Sequence, residues 1–499
     1  MSFTSRAFGL LLAAVAGLGL AAAFPDLGIW LLAPASVAAI TWVQWRRSAW
    51  WGAITGLVFG LAFFLALMPW LQVIGTDAWI ALSVYCAGWF AIQGALTARF
   101  SHYRGAILLI PAIWVVQEWL RGSVPFGGYP WGRLAFSQSE AATVNIAWWL
   151  GSYGLTYAVA LCGALIAFAL RTDRTRSAIL AAAVAVGLVI APQVLSPSNT
   201  ASGTFTIAIV QGSTPQTGMG AMDVRRAVLD NHVNQTFALG RSIKSGDVTQ
   251  PDLVLWPENA SDIDPFTDAA AARAISDASA MVGAPILVGA VRDDPDDPTK
   301  RRNVGILWTD SPQFTYSKTR LVPFGEFIPF RDLIAQHIER FDRIPRDFAP
   351  GEVPGLFTVG DVIFGNAICF EVAYDSVMNT LVTSGAQFLT IQTNNATYAN
   401  TSQIGQQLAI ERLRSVESGR ALAVAATTGA SVIFGPDATE LASIPIDGVG
   451  FAVAEIPLID STPPGARINA ILPWIAAIAI LLQVTIGFLT QRKREVRVG

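Results

Sequence analysis

The chain has 499 residues, of which 53% are hydrophobic and only 14% charged, with a mean hydropathy of +0.47. Soluble globular domains are about a quarter charged, so this balance excludes an ordinary soluble protein and points to a membrane one. A formal net charge of −3 without a basic aromatic stretch excludes a nucleic-acid binder, and three cysteines are too few for a disulfide framework.

A helix needs about 20 apolar residues to cross the hydrocarbon core. In chain order, candidate spans fall at 7–23, 28–45, 49–70, 78–98, 105–120, 143–170, 177–194 and 467–490. The first has the Arg6 charge and Ala-rich end of a signal peptide. A second apolar run follows almost at once across Pro25-Asp26-Leu27-Gly28, so the first is read as a retained helix. Positive charge gathers at every second boundary: Arg46 and Arg47, Arg99 and Arg104, Arg171, Arg174 and Arg176, and Arg492-Lys493-Arg494. The loops around Asp26 and Asp77 carry no Lys or Arg. The positive-inside rule then predicts cytoplasmic termini and puts 195–466 outside the cytoplasmic membrane. Trp30, Trp50, Trp51, Trp70, Trp119 and Trp131, near segment ends, read most simply as interfacial anchors. Glu118 and Arg121 lie three apart on one helix face and are expected to form an ion pair at the helix end.

Between 195 and 466 the pattern changes. Short β-rich runs (Phe205–Val210, Asp252–Trp256, Pro285–Ala290, Val304–Trp308, Val362–Cys369, Phe388–Gln392, Ala421–Ala426) alternate with stretches such as Val224–Ser242 and Ile404–Gly419. Alternating strand and helix predict a layered α/β domain. Segments 192–203 and 461–465 read as linkers. The expected division is a seven-helix membrane domain at 1–195, a catalytic domain at 204–457 and a closing helix at 467–490.

Three stretches of this domain carry reactive types just beyond apolar runs. They are Leu255-Trp256-Pro257-Glu258, Tyr316-Ser317-Lys318 leading into Leu321-Val322-Pro323-Phe324-Gly325-Glu326, and Ile368-Cys369-Phe370-Glu371. Catalytic groups of α/β folds sit at strand ends. Cys369 is followed by a plausible helix, Tyr374–Thr383, whose N-terminus, with a nearby Lys, would lower the thiol pKa. Taken singly, each has a plainer reading. A free Cys is usually a small buried hydrophobe, Glu258 could be a loop carboxylate, Lys318 a solvated edge charge, and Glu326 its structural partner. His102, His232 and His337 lie in no comparable motif.

Together the three stretches resemble the nitrilase superfamily, whose catalytic set runs Glu, Lys, Cys in this chain order. The longer Lys318–Glu326 form, with membrane helices on both sides, resembles the apolipoprotein N-acyltransferase family over nearly the whole chain. Loop 121–139 resembles that family's loop between membrane helices. The resemblance implies about eight membrane helices plus an extracytoplasmic α-β-β-α sandwich. It makes Cys369 the nucleophile, Glu258 the general base and Lys318 the cation at the oxyanion, aided by the Phe370 N–H. Glu326 and Glu371 would support the site, and no cofactor or metal is implied. Departures from the family pattern are Gly218-Met219-Gly220, Phe370 where Tyr is common, and Thr393-Asn394-Asn395-Ala396-Thr397-Tyr398 in place of Asn-Asp-Ala-Trp-Phe.

The implied reaction moves an acyl chain from a phospholipid through a Cys369 thioester to the N-terminal amine of a diacylglyceryl-cysteine lipoprotein. Apolar residues 324–330 would line or gate the lipid entrance. Two alternatives stay open: a membrane-tethered amidase or nitrilase using water, and a non-catalytic member that binds lipoproteins.

Overall fold

The computed structural model describes residues 3–498 apart from 104, 195, 196 and 222. It divides into two compact units, Met1–Ser196 with Pro464–Gly499, and Pro197–Pro463.

The first unit is helical. Eight helices among the described residues coincide with the eight predicted spans: Phe3–Ala22, Leu32–Gln44, Ala49–Leu67, Thr76–Phe100, Ala106–Arg121, Ile146–Ala169, Thr175–Val194 and Leu472–Val498. By length and composition, five are long and apolar enough to cross a membrane. Without a hydrophobic drive between helices in lipid, close contact depends on small residues. Gly52, Gly56 and Gly60 supply it: a Cβ on Gly52 would lie 2.2 Å from the Gly94 carbonyl oxygen, and one on Gly56 would lie 2.1 Å from that of Phe90. Arg104, one of the predicted charge markers, lies outside the described residues, as do the side chains of Arg492, Lys493 and Arg494.

Two expectations for this unit fail. Glu118 pairs with Arg133 at 3.7 Å, not with Arg121, and both partners are almost wholly buried. The Glu118 carboxylate also accepts from Leu134 N–H at 2.8 Å and the Thr156 hydroxyl at 2.7 Å. Arg121 instead donates to the backbone carbonyls of Tyr129 (2.9 Å) and Trp131. Loop 121–139 folds back over the helix end, so charges far from one another by helical spacing meet through it. The same fold-back buries Trp131 against Trp70, centroids 5.9 Å apart, so these two are core residues, not interfacial anchors.

The second unit is a sandwich of two six-stranded sheets. Strands β1 (Ala201–Gln211), β2 (Leu253–Leu255), β3 (Ile286–Asp293), β4 (Arg301–Trp308) and β5 (Pro312–Ser317) run side by side in one. Strands β6 (Leu356–Val359), β7 (Val362–Ile368), β8 (Phe388–Thr393), β9 (Leu422–Ala426), β10 (Ser431–Phe434) and β11 (Glu440–Ile444) make the other. The chain then returns as β12 (Gly450–Ile459), antiparallel to β1 with Ala201 opposite Ile459. Facing side chains such as Ile207, Leu255, Leu287, Phe364, Ile368 and Phe388 form the dry layer between sheets. Helices Ala227–Ser245 and Ala269–Val282 cover the first sheet, and Asp375–Thr383 and Ser402–Ser418 lie on the second. These are the α, β, β and α layers. The parallel pairs β1/β2/β3 and β7/β8/β9 run in each sheet's middle, and the C-terminal ends of β2 and β7 carry the Glu258 and Cys369 motifs, while the Lys318 motif follows edge strand β5.

Candidate active site

Glu258 follows the short buried strand β2. Its loop is fixed by Trp256, whose indole N–H donates to Thr236 at 2.9 Å, and by Gly289, where a Cβ would lie 2.1 Å from the Pro257 carbonyl oxygen. Lys318 is the first residue after β5. Its N–H donates to the Asn303 carbonyl and its own carbonyl accepts from Gly351 N–H. Cys369 is the first residue after β7 and holds φ at 55°, a left-handed conformation costly for a side chain with a Cβ. This sharp exit turns the chain out of the sheet, and a turn of 3₁₀ helix, Cys369–Ala373, separates it from helix Asp375–Thr383.

These loops bring the motif residues together. The Lys318 ammonium lies 3.0 Å from Glu326 Oε1 and 3.3 Å from Glu258 Oε1. Asn303 clamps both carboxylates from behind, donating to Glu258 at 2.7 Å and to Glu326 at 3.0 Å. The other oxygen of Glu258 accepts from Asn394 N–H at 2.9 Å, and that of Glu326 from Val322 N–H at 2.8 Å. Glu258, Lys318, Glu326 and Asn303 are all nearly buried. Glu371 is fully buried and accepts from Tyr316 OH (2.9 and 2.8 Å), Thr319 N–H (2.8 Å), Thr319 OH (2.7 Å), Arg320 N–H (3.0 Å) and Ile368 N–H (2.8 Å). It therefore ties the Lys318 loop to the Cys369 turn. Phe370 is half-buried, its ring edge-on to Tyr374 at 5.6 Å.

Burial alone would lower the Lys318 pKa, but Glu258 and Glu326 beside it outweigh that and hold it well above the ordinary range, so it is a cation throughout. The Cys369 thiol behaves against expectation. Burial first, then the Glu258 carboxylate, push it up to about 12, with Lys318 and a hydrogen bond from Thr393 only partly opposing them. The expected lowering fails because burial of the sulfur, with the Glu258 and Glu326 carboxylates beside it, outweighs the Lys318 cation.

Asn303 escaped the sequence reading, as a neutral residue inside a strand carries no motif signal, and Thr393 entered it only as the first residue of a departure from the family pattern. Among the described residues no cluster of His, Cys, Asp and Glu could hold a metal ion. Phe324 and Phe330, expected near a lipid entrance, are 46% and 70% exposed, while Ile328 of the same loop is buried.

The family described as apolipoprotein N-acyltransferase N-terminal domain matches residues 16–165, and that described as carbon-nitrogen hydrolase matches 206–463. An apolipoprotein N-acyltransferase of Mycolicibacterium smegmatis is 35% identical over 93% of this chain and 83% of its own length. One of Shewanella oneidensis is 25% identical over 98% and 97%. An amidase of the nitrilase superfamily from Nesterenkonia AN1 covers 52% of this chain and 92% of its own, with 19% identity and a TM-score of 0.38.

Proposed function

The chain belongs to the apolipoprotein N-acyltransferase family, an acyltransferase branch of the carbon-nitrogen hydrolases, and from that premise we propose that Glu258, Lys318 and Cys369 perform its acyl transfer. It is a bacterial membrane enzyme. The Lys318 ammonium between two carboxylates, beside the Cys369 turn, is the observation that carries the assignment.

The first half-reaction starts from a neutral thiol. As Cys369 Sγ attacks the carbonyl carbon of a phospholipid ester, its proton passes to Glu258, which keeps the build-up of negative charge off the sulfur. The carbonyl oxygen takes the electron pair and is stabilised by Lys318, with the Phe370 N–H as second donor. Collapse expels the lysophospholipid alkoxide, which takes the proton back from Glu258 and leaves a thioester. In the second half the α-amine of a diacylglyceryl-cysteine lipoprotein attacks that thioester and loses its proton to Glu258. The Cys369 thiolate departs and recovers the proton, giving the amide and the starting enzyme. This is a ping-pong sequence. Glu326 and Asn303 hold Lys318 and Glu258 at their spacing, and Glu371 keeps the two loops in register. Apolar residues 324–330 serve to exclude water from the thioester.

The Arg clusters support cytoplasmic termini and an extracytoplasmic catalytic unit, facing lipid-anchored donor and acceptor. The chemistry is tested by giving the purified chain phospholipid alone and weighing its peptides. One acyl mass on the Cys369 peptide, released by neutral hydroxylamine and transferred to an added diacylglyceryl peptide, is the expected result. Continuous release of free fatty acid without an adduct would overturn the transferase reading.

A further inference from the structure

The apolar layer between the two sheets is crossed by a chain of amides. Asn366 of β7 and Thr390 and Gln392 of β8 share it with Phe364, Ile368 and Phe388, and all three polar residues are fully buried. The Gln392 Nε2 donates across the gap to the Trp256 carbonyl at 2.8 Å and to the Leu287 carbonyl at 3.3 Å. Its Oε1 accepts from Asn366 Nδ2 at 3.0 Å, and Asn366 Oδ1 accepts from the Thr390 hydroxyl at 2.8 Å. Turning the Gln392 amide over would set its oxygen against two carbonyls, so one orientation satisfies the chain. The first sheet makes room for it at Gly305 of β4, where a Cβ would lie 2.6 Å from Gln392 Oε1 and 2.8 Å from Asn366 Nδ2.

The place of this crossing bears on the reaction. Glu258 and Lys318 leave strands of the first sheet, whereas Cys369 leaves a strand of the second. The reach from base to nucleophile is therefore a distance between sheets, and a satisfied buried network fixes such a distance more sharply than apolar packing. Gln392 stands opposite Ile368, the residue before Cys369, and its amide holds the carbonyl two residues before Glu258. Just beyond β8, Asn394 N–H donates to Glu258 Oε2 at 2.9 Å, a second hold on the same loop. We propose that Gln392 is a positioning residue whose amide sets the reach of Glu258 to Cys369 across the sandwich, with Asn366 and Gly305 holding that amide. This rests on Glu258 as base and Cys369 as nucleophile.

Three buried polar side chains carry a desolvation cost that aliphatic ones would not, so stability alone does not account for them. Removing the Gln392 amide frees the Trp256 carbonyl and lets the base drift. The Cys369 turn keeps its own support, the bond from Ile368 N–H to Glu371. A misplacement of about 1 Å is enough to cost about 100-fold in a reaction that depends on alignment.

Two rates in the full-length chain in detergent separate positioning from general damage. Acyl-adduct formation from phospholipid needs Glu258, whereas alkylation of Cys369 by iodoacetamide at about pH 8 draws on thiolate already present. Gln392→Leu should slow acylation about tenfold or more and leave alkylation close to that of the parent. Gly305→Ala, which presses a Cβ on the same amide, should move the two rates in the same sense. Gln392→Glu is the conservative rescue, because at about pH 5.5 a buried carboxyl is protonated and can donate to Trp256 as the amide does. Its acylation at that pH, relative to the parent, should exceed that of Gln392→Leu severalfold. Parent-like acylation by Gln392→Leu, equal losses in both rates, or a Gln392→Glu variant no better than Gln392→Leu at that pH overturns the proposal. Acyl transfer surviving Cys369→Ala would instead overturn the premise, whatever the Gln392 variants do, and the proposal with it.

Discussion

At the scale of single residues, the carboxylate of Glu258 does two opposing things to Cys369. It takes the thiol proton during attack, yet at rest its charge helps push the thiol up to about 12. A single substitution separates these effects. Glu258→Gln should cut acyl transfer by at least about 100-fold, the scale of a lost general base. The same variant should speed alkylation of Cys369 by iodoacetamide, because a negative neighbour has gone. Slower alkylation together with slower transfer would mean that Glu258 holds the thiolate in place and does not work as the base. The three motif residues were legible because Glu, Lys and Cys at strand ends are uncommon types in uncommon positions. Their supports were not. Asn303 stands between Glu258 and Glu326 through the pairing of β4 with β3 on one side and with β5 on the other, and Arg133 reaches Glu118 through the fold-back of loop 121–139.

At the scale of elements, helix Ala227–Ser245 is attached to β1 by one buried imidazole. His232 accepts from Gly212 N–H at 3.1 Å, and its other nitrogen lies 2.7 Å from the Val228 carbonyl, to which it donates. Burial lowers its pKa from 6.5 to about 4, with the Val228 bond opposing. Between those values the unfolded chain binds a proton that the folded chain refuses. The stabilisation is therefore complete above pH 6.5 and is lost as pH falls towards 4, by roughly 3 kcal/mol. Glu411, raised from 4.5 to about 8 by burial, works in the opposite sense, costing stability as pH rises through that range. The readout is thus the difference between proteins. The thermal midpoint of His232→Asn should fall less than that of the parent between pH 6.5 and 4.5, and equal falls would remove His232 from the account. Element prediction succeeded where periodicity was strong, as in β1, β3 and the apolar helices. Strand β5 has three exposed residues in six and little apolar character, so it was missed although it delivers Lys318. Helix Ala269–Val282 did carry a signal, the Asp268 cap that accepts from Ala270 and Ala271 N–H at 2.9 Å each.

At the scale of the whole chain, the spans read from hydropathy coincide with eight helices, and the sidedness inferred from the Arg clusters is open to direct test. A reporter active only outside the cytoplasm, inserted after Asp297 in the turn between β3 and β4, should be active, and one fused after Arg497 silent. The reverse pattern would put the catalytic unit in the cytoplasm. The bulk composition was decisive at this scale because lipid demands long apolar runs, whereas sheet order follows from long-range pairing that no local pattern encodes.

The pairing of Ala201 with Ile459 has a consequence for the order in which the protein is made. The opening and closing strands of the sandwich are neighbours, so β1 has an unpaired edge from the moment it is synthesised until the last strand arrives. By contrast, the glycine-packed helices Ala49–Leu67 and Thr76–Phe100 are adjacent in sequence and can close as soon as both have left the ribosome. The helical hairpin is therefore an early product of translation and the sandwich a late one. A ribosome stalled between Glu371 and Gly450 holds a catalytic unit with every motif residue already made and one sheet still open to any strand that meets it.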